Sequence, residues 1–286
     1  MGSLLFDIST AFTNVYSGWI LWNLFLAFVP LILSFLLFRR KTIAQAWLWI
    51  LMGLTSFIGV VGLWPRLPRV MASQLSLIQG VMLGELSALL KLSWLVAIAL
   101  ILLTINFLLM RQKEPTRTWK WWIMLAVFIV FLPNAPYVLT DIIHLIRGIS
   151  SGQIPTWVVA LVFIPLHTIA ILLGFQAYVI SLLNQSAYLK QRGIPQYILP
   201  AELLVHALSA VGIYLGRFIR LNSWDLVIDP SNVVLTTLNS LTSRWPMLVI
   251  MVTFVILTVL YWIMKQVTLG LKLRIHYARS GWDALT

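Results

Sequence analysis

FLPNAPYVLTDIIHL, residues 131–145, is the stretch on which the reading of this chain turns. An apolar run enters it, meets two prolines and leaves carrying an acid and a histidine. Pro133 and Pro136 lack an amide hydrogen, and each disfavours the α region for the residue before it, here Leu132 and Ala135. A helix arriving through Trp122 is therefore expected to stop near Phe131. Asn134 lies in the break, where its short amide can bond backbone groups that hydrocarbon would leave unsatisfied. A short helix then starts at Pro136. Helical spacing places Tyr137, Asp141 and His144 on one face and Val138, Ile142 and Leu145 on another, as in an amphipathic turn at a membrane surface.

Outward from this stretch the chain is apolar in both directions. Of its 286 residues 60% are hydrophobic and 10% charged, and the mean hydropathy is +0.95. That is too little charge to coat a soluble globule of this size, so the class is membrane. The formal charge of +12 comes from Lys and Arg in short clusters between apolar runs, the pattern of cytoplasmic anchoring. No basic face with interleaved stacking aromatics lies outside those runs, which argues against nucleic acid as a partner. Cysteine is absent, which excludes disulfides, thiolate metal sites and a cysteine nucleophile. The first apolar run is followed, not preceded, by Arg39, Arg40 and Lys41, and reads as an uncleaved span.

Crossing hydrocarbon takes about 20 apolar residues in a helix. Runs at 19–38, 44–64, 92–110, 119–137, 157–183, 198–219 and 246–264 meet that length, and tryptophans such as Trp19, Trp64, Trp119 and Trp245 sit near their ends as an aromatic belt. The expected fold is an all-α polytopic transmembrane helical bundle of about seven spans, one domain over 1–286. Residues 70–91 are apolar but carry Gln74, Gln79, Glu85 and Lys91, and are expected as an interfacial or re-entrant helix, with an eighth span as the alternative. With the amino terminus outside, more of the 20 basic residues fall inside than outside. The expected location is the cell membrane, multi-pass.

In that orientation the sixth span leads into GRFIRLNSWDLVIDP, residues 216–230, on the same outer face as the proline stretch. Along that helix His206, Ile213, Arg217 and Arg220 share a face, so Asp141 or Asp225 could neutralise an arginine. Ionisable groups at a membrane boundary are costly unless paired, which makes them functional candidates. Each has a plainer reading. Arg217 and Arg220 can snorkel to phosphates, Asn222 to Asp225 can cap and anchor a helix end, and His167 and His206 can be satisfied by interhelical bonds. Asp141 and His144 at i, i+3 could supply two metal ligands or an acid–base pair, but the spacing is common by chance; no metal and no cofactor is expected. Gly212 and Gly216, in GIYLG, form a small-xxx-small pair suited to close helix approach.

PNAPYVLTDIIHL, GIYLGRFIRLNSWD and the early WNLFLAFVPL at residues 22–31 resemble a bacterial integral-membrane family catalogued as domain of unknown function 1361. The resemblance covers about 19–230, and its shorter members imply that 42–118 is an insert with an even number of crossings. It implies no activity. It does imply that Asn23, Asn134, Tyr137, Asp141, His144, Arg217, Arg220, Asn222 and Asp225 share the outer end. Two functional classes follow, beside a purely structural or assembly role. One is a transporter-like protein holding a small anionic or zwitterionic solute. The other is an enzyme acting on a lipid-linked substrate, with Asp141 or His144 as base and an arginine on phosphate. HExxH, GxSxG and phosphate-loop signatures are all absent, so an enzyme is not indicated by motif. Oligomeric state is not encoded in any motif.

Overall fold

The computed structural model describes residues 19–40, 43–93, 118–150, 155–221 and 230–280, with the isolated positions 96, 100, 104 and 152. Among them, six helices are long and apolar enough to cross a membrane. They are α1 (Trp19–Phe38), α2 (Gln45–Arg66), α4 (Trp119–Arg147), α5 (Thr156–Gln191), α6 (Pro195–Ile219) and α8 (Arg244–Arg279). Two less apolar helices lie among them, α3 (Leu67–Met82) between α2 and α4 and α7 (Pro230–Thr242) before α8. The protein is a polytopic helical bundle. Six of the expected spans are present; the other, 92–110, lies mostly outside the described residues. Residues 67–82 form one helix, a turn follows at Gly84 (φ 78°), and a new helix starts at 86; among the described residues of this region no helix is long and apolar enough to cross. Residues 230–242, assigned no helix from the sequence, form α7, in which Thr237 and Ser240 bond back to the carbonyls of Val233 and Thr236.

The centre of the bundle is α1. Apart from Asn23 and Ser34 its residues are apolar all round, and it is the most buried of the six spans, packed on by α2, α4 and α5. Where α1 begins, α2 ends. A Cβ on Gly62 would lie 2.6 Å from the Trp22 amide nitrogen, so only glycine lets the two backbones come this close. The far end of α1 is closed by rings. Phe38 packs edge-on against Trp121 and Phe128 and meets Tyr188, while the Trp121 indole donates to Leu37 O at 3.3 Å. The start of α4 and the end of α5 therefore lie at that end, and α1 is antiparallel to α4.

The proline stretch corrects one sequence expectation. Regular α-helix ends at Phe131 as expected, but the chain does not leave the α region: Leu132 (φ −58°, ψ −37°) and Pro133 (φ −59°, ψ −22°) keep right-handed helical angles, and Ala135 sits in the helical turn Asn134–Tyr137. What changes is the hydrogen bonding. Pro136 cannot donate to Leu132 O, so the Ala135 amide does, at 3.1 Å. Phe131 O, which Ala135 would serve in a regular helix, instead accepts from the Asn134 side chain at 2.9 Å. The chain then tightens into a 3-10 turn over Val138–Asp141 before α-helix resumes at Ile142. Bonding the leftover carbonyl removes the reason to leave the α region, because an unpaired carbonyl in hydrocarbon costs more than a crowded residue before proline.

The small-residue pair of α6 packs against this same stretch. A Cβ on Gly212 would fall 2.7 Å from Pro133 Cβ, and one on Gly216 3.0 Å from the Tyr137 ring. A Cβ on Gly174 of α5 would fall 3.0 Å from Val138. The proline stretch is thus seated between α5 and α6, inside the bundle and not on its surface. Val138 and Asp141 are buried, and of the face expected to carry Val138, Ile142 and Leu145, Ile142 is exposed.

Candidate functional site

At the end where α1 begins, four helices bring polar side chains together. The 3-10 turn in α4 places Tyr137, Thr140, Asp141 and His144 around one point, and the last turns of α6 bring Arg217 to it. The guanidinium uses its whole fork. Nε and Nη2 donate to Thr140 Oγ1 at 2.9 and 2.6 Å, Nη2 donates to Asp141 Oδ1 at 2.7 Å, and Nη1 lies 3.1 Å from His144 Nε2. Its carbon stands 4.4 Å from the centroid of the Tyr137 ring. Thr140 can accept both bonds because its own hydroxyl hydrogen goes to Tyr137 O at 2.6 Å. Since arginine only donates, His144 Nε2 is the acceptor, and the ring proton is assigned to Nδ1.

Asp141 has a second partner on the other side. The Asn23 amide nitrogen of α1 lies 2.8 Å from each carboxylate oxygen. The Arg217 and Asp141 side chains are 12% and 2% exposed, so this ion pair is withdrawn from water. A pair so placed is expensive to break, because whichever partner remains is a buried charge without a counter-ion. Above His144 the Trp19 indole is stacked, 5.7 Å between centroids with 11° between planes. The guanidinium of Arg66, the last residue of α2, lies 4.0 Å from the Trp19 centroid. Arg66 and Trp19 therefore stack over His144, whose Nε2 edge meets Arg217, so the cluster joins α1, α2, α4 and α6.

Of the residues singled out from sequence, Tyr137, Asp141, His144 and Arg217 meet in one place, with Asn23. Asn134 is one turn away, bonded to Phe131 O. Arg220 does not join. The end of α6 widens into a π-turn over Leu215–Ile219, and Arg220 stands beyond it at φ 69°, exposed; this left-handed residue breaks the face it was expected to share with Arg217. Asn222 and Asp225 lie outside the described residues. Among the described residues no three metal-ligating side chains converge, and the Asp141 and His144 acceptors face Arg217.

Sequence reading missed Trp19, Arg66 and Thr140 as members of this cluster. It also missed a second buried pair. Glu202, two turns into α6, bonds Lys265 of α8 at 2.7 Å. A glutamate early in an apolar span and a lysine late in another were the available signal, since such groups are rarely left unpaired in a membrane. His206 and His167 take the plainer role expected of them: His206 Nδ1 is 2.7 Å from Tyr178 OH, and His167 Nδ1 is 2.7 Å from Phe163 O.

A multi-span bundle with buried ion pairs defines an integral membrane protein. Within that class, the family described as Protein of unknown function (DUF1361) matches residues 94–259, and the chain belongs to it. The match includes Thr140, Asp141, His144 and Arg217; Trp19, Asn23 and Arg66 precede it. It begins after WNLFLAFVPL and continues into α8. No curated protein and no solved structure gave a match.

Proposed function

We propose that the protein is transporter-like and takes a small anionic solute at the Arg217 end of the bundle, on the outer side of the cell membrane. The observation that carries this reading is the fork of Arg217, held by Thr140, Asp141 and His144 at a span end. Planar bidentate donors suit carboxylate and phosphate, and Asp141 already occupies one such position. An incoming anion would compete with Asp141 for the guanidinium. Asn23 would keep both oxygens of the displaced carboxylate hydrogen-bonded, which lowers the cost of the exchange. The same engagement speaks against Asp141 or His144 as a general base on a lipid-linked substrate, because His144 Nε2 accepts from Arg217 and three of the four acceptor sites of Asp141 already accept from Arg217 and Asn23.

A ligand that binds only the folded state raises the unfolding temperature. Purified protein is therefore expected to be stabilised by at least one member of a panel of small carboxylates and inorganic phosphate, and Arg217→Gln is expected to lose that effect. If no anion shifts the transition, or if Arg217→Gln responds like the wild type, the reading fails.

A further inference from the structure

The end of the bundle away from Arg217 gathers cations. Three of the rings that close α1 have one beside them in the chain: Arg39 follows Phe38, Lys120 precedes Trp121, and Arg192 comes one turn after Tyr188. Tyr188 lies 5.4 Å from Phe38 and 5.9 Å from Trp121 between centroids, and the Arg192 guanidinium lies 5.2 Å from the Tyr188 centroid. Packing of the rings therefore draws together the ends of α1, α4 and α5, and with them Arg39, Arg40, Lys120 and Arg192. The first three are half-buried and Arg192 is exposed.

Among the described residues, the Lys120 and Arg192 cations have only aromatic partners, Trp119 and Tyr188. Glu202, bonded to Ser186 just before Tyr188 in α5, is already engaged by Lys265. Thr118 Oγ1, immediately ahead of α4, is buried without a partner and does not cap the helix. Like charges gathered where water is thin repel, and a buried hydroxyl left unpaired costs free energy as well. A phosphate among these groups offsets both, because its oxygens accept from guanidinium, ammonium and hydroxyl alike. Beyond them α4 offers an apolar track. Trp119, Trp122 and Ile129 are 64%, 54% and 40% exposed at helical spacing, and they cover about 15 Å of helix, the depth of one hydrocarbon leaflet.

We propose that this end of the bundle binds an anionic phospholipid, with its phosphate among Arg39, Arg40, Lys120 and Arg192 and an acyl chain along Trp119, Trp122 and Ile129. Basic pockets between spans are suited to such head groups. A free phosphate would use the cations and leave the apolar track uncovered, whereas a lipid uses both. The site shares no residue with the Arg217 cluster and does not depend on the function assigned to that cluster.

The full chain in a neutral detergent would be titrated with short-chain phosphatidylglycerol, short-chain phosphatidylcholine and inorganic phosphate, reading the unfolding temperature. Phosphatidylglycerol is expected to raise it to a plateau, and phosphatidylcholine to leave it unchanged. Lys120→Gln with Arg192→Gln is expected to raise the half-saturating concentration of phosphatidylglycerol by about tenfold or more. Arg192 is exposed, so Arg192→Gln alone keeps the fold, and it is expected to weaken the response several-fold. Lys272→Gln with Arg274→Gln removes the same charge from exposed positions of α8 and is expected to keep the wild-type response. The proposal is overturned if phosphatidylcholine stabilises as well as phosphatidylglycerol, if the Lys120 and Arg192 variants respond like the wild type, or if the α8 variant loses as much as they do. It is overturned too if those variants lose a response to inorganic phosphate, since the occupant would then be a free anion.

Discussion

At the scale of single residues, Asn23 carries an uncommon burden. A neutral amide serves both oxygens of a buried carboxylate, a task more often given to a second cation or to backbone amides. Replacing it by alanine leaves Oδ2 of Asp141 without its donor, and a buried acceptor so orphaned costs about 1–3 kcal/mol. Asn23→Ala is therefore expected to lower the unfolding temperature, and Asn23→Asp to lower it further, because a second carboxylate would face the first across 2.8 Å. Thermal unfolding of the three proteins in one detergent checks this; an Asn23→Asp protein no less stable than Asn23→Ala would contradict it. Sequence alone marked Asp141 and Arg217 because buried charges of opposite sign must find each other. It failed on Arg220, since a left-handed backbone angle at an arginine depends on how the helix is terminated and not on residue type. Trp19 and Arg66 were legible as a belt tryptophan and a cation at a span end, but nothing local to either says that Trp19 stacks on a histidine far along the chain with Arg66 over it.

At the scale of the element, the proline stretch behaves as a rewired helix. The rewiring predicts a coupling. In the wild type, Asn134→Ala should cost about 1 kcal/mol by depriving Phe131 O of its donor. With Pro136→Ala in place, an amide returns at position 136 to serve Leu132 O, the Ala135 amide reverts to Phe131 O, and Asn134 has nothing to repair. Asn134→Ala should then be nearly neutral, giving a coupling of about 1 kcal/mol in a double-mutant cycle. Strictly additive losses in the cycle would mean that the bond to Phe131 O contributes nothing. The presence of a break was readable from two prolines and an asparagine. Its form was not, because the residue-before-proline rule weighs local crowding alone, whereas the interior of a bundle also weighs every unpaired carbonyl. The glycines of α6 show the opposite case. Their spacing announced a close approach, and only the surface they approach had to come from the structure.

At the scale of the whole molecule, the spans were legible because about 20 apolar residues in a row have few other homes. Helix α7 was not, since its serines, threonines and asparagines read as loop and its bonds back to the preceding turn are invisible in composition. The charge asymmetry predicts an orientation, with the Arg217 end outside, and that gives a direct expectation. Ser150, beyond the end of α4, and Gln191, at the end of α5, are both exposed and stand at opposite ends of the bundle. In intact cells an impermeant thiol reagent should label Ser150→Cys and spare Gln191→Cys until the membrane is opened. The reverse pattern would place the Arg217 cluster on the inner side and move any solute that it meets to the other compartment.

The last helix, α8, runs unbroken for 36 residues, about 54 Å at the usual rise. The hydrocarbon layer is about 30 Å deep, and spans lean by no more than about 40°. Even at that lean the rod would project to about 41 Å, so the molecule is taller than the slab that houses it. Nearly three turns must stand clear, and Lys272, Arg274 and Arg279 choose the end at which they do. A thinner bilayer would uncover more of this rod and a thicker one would draw it in, so the height of its basic end above the lipid surface becomes a gauge of membrane thickness.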